Sequence, residues 1–207
     1  MIELFVSAFV TLFVVIDPVG CAPIYAGLTK EASSKQSRNM ALRATLIAAF
    51  ILLFFALLGE DLLNALNIQL DSFRIAGGLM LFWIAFEMVF EKRQQRREER
   101  AEKLIGTPEI EDVSVFPMAI PMLAGPGSIA AMMLLMNEAG DAKETTVVLG
   151  ALGTVLLLTA VLLVAAGPLI KLLGDKVEAV LTRLLGVLLA ALAAQYVIDG
   201  LKGSFGI

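Results

Sequence analysis

Apolar positions run almost unbroken for about twenty residues at a time, and they do so six times, near 3–29, 40–59, 72–90, 113–136, 146–170 and 179–199. A helix crossing roughly 30 Å of hydrocarbon needs a run of about that length. Buried strands would give runs of roughly 4–8 residues between turn signals, and no such rhythm is present. The pattern predicts an all-α membrane protein with six transmembrane helices. Composition agrees: of 207 residues, 58% are hydrophobic and 17% charged, against about a quarter charged in ordinary soluble domains.

Two of the six runs are interrupted. The first contains "VVIDPVGCAPIY", residues 14–25. Pro18 removes a helical hydrogen bond and disfavours helical geometry at Asp17, Gly20 supplies permissive dihedrals, and Pro23 is expected in the first turn of a restarted half-helix. The fourth run contains "AGPGSIAAM", where Gly125, Pro126 and Gly127 can unwind the chain and Ser128 is expected as the N-cap. Spans 1 and 4 are therefore expected to break near mid-membrane. Backbone exposed there survives only if buried in protein or lining a wet cavity. Each restarted half-helix also aims about half a positive charge at that place, which suits a carboxylate.

Asp17 sharpens the expectation. A carboxylate deep in a span costs on the order of 3 kcal/mol on insertion scales, so it should face the bundle interior. There it can cap the half-helix, bind an ammonium, or take a coupling H+ or Na+. The expected solute contacts are Asp17, Pro18, Gly20, Cys21, Pro23, Gly125, Pro126, Gly127 and Ser128. The plainer alternative is a pair of proline kinks that only shape the bundle. Cys21 by itself reads as a small buried hydrophobe.

Charge gives the direction. Of sixteen Lys and Arg residues, four lie in the first connection, six in the third and three in the fifth, leaving three on the other side. The positive-inside rule then puts both termini outside and the thirteen basic residues in the cytoplasm. The stretch "EKRQQRREERAEKLIGTPEIEDV" is expected to be a solvated helical extension and linker, with Glu99 and Lys103 at i,i+4 spacing. The N-terminus lacks the basic region of a cleavable signal, so the first helix is expected to remain in the mature protein. One cysteine excludes an intrachain disulfide, and the absence of histidine removes the commonest metal ligand and catalytic base. No enzyme activity, metal or cofactor is expected; the expected partners are the lipid bilayer and a small solute, with no nucleic acid.

The halves match at an offset of about 108. "RIAGGLML" around Arg74 and Gly77 falls opposite "RLLGVLLA" around Arg183 and Gly186. Gly59 falls opposite Gly167, and Pro18 opposite Pro126. The chain thus reads as one transmembrane domain, 1–207: a first repeat over about 1–92, a cytoplasmic linker over about 93–112 and a second repeat over about 113–207. Three spans per half make the repeat inverted, the arrangement that frames the binding site of many secondary transporters. Arg74 and Arg183 are either interfacial anchors or partners for carboxylates. Glu87 reads as interfacial. Gln195 reads as a helix–helix hydrogen bond or part of a pathway, and the ladder of Gly186, Ala190 and Ala194 reads as close helix packing.

"IDPVGCAPIY", "RIAGG", "AIPMLAGPGSI" and "EAVLTRLLGVLLAALAAQYVIDGL", taken in order, resemble the MarC family of six-span prokaryotic inner-membrane proteins. The family is also called SnatA-like, after members that transport small neutral amino acids. Its D-P-x-G motif falls on Asp17, Pro18 and Gly20, with the following proline on Pro23, and its A-G-P-G motif on Ala124, Gly125, Pro126 and Gly127. Cys21 stands where many members carry Asn, a departure at a place that bears on selectivity. The resemblance implies a prokaryotic inner-membrane transporter of a small zwitterion such as glycine or alanine. A channel-like pore, an exporter of other small solutes, and a structural or regulatory membrane protein are the alternatives the residues leave open.

Overall fold

In the computed structural model the chain is described over residues 1–105 and 112–206, with side chains for all of these except 100–105 and 168–179. The described residues form helices and turns, with no strand among them. In chain order they are α1 (Ile2–Ile16), α2 (Pro18–Leu28), α3 (Ser34–Ala65), α4 (Leu70–Val89), α5 (Lys92–Ile105), a wide irregular coil (Ser114–Leu123), α6 (Pro126–Glu138), α7 (Ala142–Val164) and α8 (Ala166–Phe205). Among the described residues, five stretches are long and apolar enough to cross a membrane, α1 with α2 counting as one. The coil with α6 makes a sixth, bent by 53°.

The outer surface is apolar, and the interior combines large side chains such as Leu12, Tyr25, Leu52 and Met132 with small residues where helices approach closely. Leu46, Phe50, Leu157 and Phe205 are each about two-thirds exposed or more, while Ala41, Ala44, Ala48 and Ala151 are fully buried. Lipid tails are as apolar as leucine, so small residues that let backbones approach closely hold such bundles together. Gly186 is one of them: a Cβ there would lie 2.9 Å from Met88 Cβ on α4. Gly78 lies similarly close to Ala193 O and Val197 of α8. The reading of Gly186 as a packing position agrees with this contact.

Three boundaries differ from expectation. The fifth run was expected to last to 170 and be followed by a loop before 179. Instead the chain turns at Ala165, and 166–205 is one helix. Pro168 does not prevent this, because it falls in the first turn of α8, where no helical bond needs its missing N–H. At the first break, Pro18 and not Pro23 occupies the first position of the new helix, and Pro23 lies inside α2. The left-handed residue there is Asp17 (φ 56°), not Gly20. Asp tolerates this region because its short side chain can bond locally.

The largest departure concerns the basic linker. Its first part is α5, which turns back at left-handed Glu91 (φ 59°) and packs against α2 and α4. It is a helical extension as expected, but with one face docked: Arg97 is buried and Arg93 and Gln94 half-buried, while Lys92, Gln95, Arg96, Glu98 and Glu99 stay exposed. The physical reason is that Asp17 and the broken backbone need donors, and Arg93, Gln94 and Arg97 on one face of α5 supply them. Residues 106–111 lie outside the described residues, as do the side chains of Lys103, Lys171 and Lys176, so the Glu99–Lys103 pairing falls there too.

Candidate functional site

The first break is one residue wide, and its polar groups can be followed singly. Asp17 closes α1, its N–H bonding Phe13 O at 2.9 Å, and caps α2, its Oδ1 accepting from Gly20 N–H at 3.1 Å. Helix ends leave carbonyls without intrahelical donors. Here Val15 O accepts from Arg93 Nη2 at 2.6 Å, and Ile16 O faces Cys21 Sγ at 3.6 Å. Gly20 O accepts from Gln94 Nε2 at 3.3 Å. A Cβ on Gly20 would lie 2.6 Å from Asp17 Oδ2, so glycine serves here by leaving room for the carboxylate.

The second break is built differently. Phe116 and Ile120 are extended, and α6 starts at Pro126 with Gly125 as its N-cap. Ser128 is therefore not the N-cap. It sits in the first turn, and its hydroxyl accepts from Gly125 N–H at 2.9 Å and donates to Leu123 O at 2.7 Å. The residue whose helical donor would have reached Met122 O is Pro126, which has no N–H. Gly127 faces apolar side chains: a Cβ there would lie 2.1 Å from Ile84 Cδ1 and 3.5 Å from Val15 Cγ1. Gly127 is thus a packing position between α1, α4 and α6.

Arg97 joins the two breaks. Its Nη1 lies 2.8 Å from Asp17 Oδ2, and its Nη2 donates to Met122 O at 3.4 Å. The two side chains are only 9% and 5% exposed. Asp17, Gly20, Cys21 and the carbonyl preceding the Gly125–Ser128 turn are thereby brought to one buried place. Desolvation and the neighbouring Arg97 charge pull the Arg93 guanidinium down to about 10, which leaves it charged at neutral pH. Among the described side chains, the site holds two guanidiniums and one carboxylate.

The remaining sequence candidates lie elsewhere. Arg74 bonds Asp71 and Asn137, both at 3.1 Å, at the end of the bundle where α4 begins. Arg183 pairs with Glu91 at 2.6 Å, at the turn into α5. Both are thus partners of carboxylates. Gln195 is exposed and bonds Asp199 one turn along its own helix, so it makes no helix–helix bond. Glu87 is buried within the protein: it accepts from Trp83 Nε1 at 2.8 Å and pairs with Arg96 of α5. Among the described residues, no three His, Cys, Asp or Glu side chains gather as a metal site would require.

Sequence reasoning missed Arg93, Gln94 and Arg97. One signal could have found them. A lone carboxylate in the first span requires a counter-charge, and Arg93 and Arg97 share a helical face while Glu98 and Glu99 lie on the exposed side.

Known proteins give the frame for this site. A family model described as MarC family integral membrane protein matches residues 2–205. A UPF0056 membrane protein of Methanocaldococcus jannaschii is 34% identical over 98% of both chains. Another, of Archaeoglobus fulgidus, is 33% identical over 97% of this chain and 93% of its own. The UPF0056 inner membrane protein YhgN of Escherichia coli is 33% identical over 95% of both. No solved structure matches the chain.

Proposed function

This chain belongs to the MarC family of integral membrane proteins, and on that premise we propose that it is a secondary transporter of small neutral amino acids such as glycine or alanine, and not an enzyme. The observation that carries the reading is the meeting of two helix breaks at one buried polar site, with Asp17 at its centre. Irregular backbone at membrane depth is tolerated where it is buried in protein or lines a solute path. Fifteen residues of α1 precede Asp17 and eleven of α2 follow it, so at 1.5 Å per residue it stands about 22 Å along the first span.

In this reading the two three-span halves are an inverted repeat, both termini lie outside, and α5 lies on the cytoplasmic side of a prokaryotic inner membrane. The breaks at Asp17 and Gly125, one in each half, support the repeat. The thirteen-to-three division of basic residues supports the orientation. Asp17 receives the solute's ammonium, and H+ or Na+ is the ion that can couple its movement.

The test is uptake by purified protein in liposomes. Labelled glycine or alanine should enter vesicles under a pH or sodium gradient, and Asp17→Asn should suppress the entry. Wild-type protein that moves neither amino acid under either gradient would overturn the substrate assignment.

A further inference from the structure

Asp17 and Arg97 present to each other the two charges that a small amino acid carries. Resting on the transport reading above, we propose that this ion pair is the solute site in its self-occupied form. A zwitterion enters by parting the two groups, its ammonium replacing the guanidinium on Asp17 and its carboxylate replacing Asp17 on Arg97.

The energetics favour a solute with both charges. Removing one partner of a buried ion pair leaves an uncompensated charge and is strongly unfavourable. An amine without a carboxylate would satisfy Asp17 and take from Arg97 its Asp17 carboxylate, leaving the Met122 carbonyl, a neutral acceptor, in its place on that side of the site. A carboxylate without an amine would do the reverse. Only a zwitterion restores both ends, so the closed pair itself discriminates between solute classes.

The mechanics fit as well. The described contacts that hold α5 to the breaks are polar: Arg93 to Val15 O, Gln94 to Gly20 O, and Arg97 to Asp17 and Met122 O. Hydrogen bonds and ion pairs can be exchanged for equivalents with solute or water, whereas an apolar interface would resist opening. The helix pivots at left-handed Glu91, which Arg183 holds at 2.6 Å. Parting Asp17 from Arg97 removes the ion pair from the contacts between α5 and α2, leaving the weaker hydrogen bonds of Arg93 and Gln94 to exchange with water, so that in this proposal solute binding and access to the site are coupled.

Cys21 is the natural reporter. It is the chain's single cysteine, fully buried and adjacent to Gly20, whose carbonyl α5 covers. In wild-type protein in vesicles, glycine should raise the rate at which a maleimide modifies Cys21, while methylammonium and acetate, separately, should not. Arg97→Gln should raise the rate without solute on the order of 10²-fold, as loss of a buried pair implies, and abolish the response to glycine. Because Arg97→Gln strands Asp17, the double variant Asp17→Asn/Arg97→Gln serves as the folded control and should be equally unresponsive.

Glycine exchange with no change in Cys21 modification would overturn this inference and leave the transport reading standing. So would an equal response to methylammonium or acetate, or a double variant that exchanges glycine with unchanged KM. Absence of both exchange and response would overturn the two together.

Discussion

Gly127 and Ile84 are in close contact: a Cβ on Gly127 would lie 2.1 Å from Ile84 Cδ1, the tip of a side chain that has to turn aside to admit it. This glycine holds α6 against α4 and α1. Gly127→Ala should lower stability by about 1 kcal/mol, the low end of the overpacking range, because only the tip of Ile84 has to move. Ile84→Ala in the same chain should recover part of that loss. Thermal unfolding in detergent checks both, and additive effects of the two substitutions would contradict the contact.

A contrast within the other glycines tests the packing account. Gly186→Ala forces Met88 and Val89 of α4 away and should destabilise, whereas Gly153 has nothing within 4 Å of its would-be Cβ. Gly153→Ala should therefore stabilise by about 1 kcal/mol through helix propensity alone. The same unfolding measurement reads both, and the two signs should be opposite.

The buried pair makes a third prediction. Asparagine accepts left-handed geometry nearly as well as aspartate, so Asp17→Asn isolates charge from backbone. It should cost up to about 3–5 kcal/mol by taking the Asp17 carboxylate from the buried Arg97. Arg97→Gln should cost a similar amount, and the double variant much less than their sum. A double-mutant cycle measures the coupling, and strict additivity would remove the pair from the energetics of the fold.

Orientation has its own test. In a Cys21→Ser background, cysteines at Gln95 or Glu99 should react with an impermeant thiol reagent only from the cytoplasm. A cysteine at Lys143 should react only from outside. Reversed accessibility would overturn the assigned sidedness, and with it the placing of α5.

The sequence made the spans legible because twenty-residue apolar runs have few other physical solutions. It made the breaks legible because proline and glycine act on the backbone locally, whatever the tertiary context. It did not reveal which residue takes the left-handed turn at the first break. Gly20 was the default, yet Asp17 turns and Gly20 stays helical to clear space for the carboxylate. Nor did it reveal where Ser128 sits, because a capping hydroxyl serves equally from the first turn when glycine is the cap. The docking of α5 was hidden for a different reason. A run such as "EKRQQRREER" is normally solvated, and only a partner distant in sequence, Asp17, 80 residues away from Arg97, makes burial of one face favourable.

Counterflow tests the central claim, that the joined breaks form a transporter's solute site, most directly. Vesicles containing purified protein and loaded with unlabelled glycine should transiently concentrate labelled glycine from outside, with a saturable rate. Asp17→Asn vesicles should not. Labelled glycine that only equilibrates, at a rate linear in concentration and indifferent to what is loaded inside, would describe a pore and contradict the account.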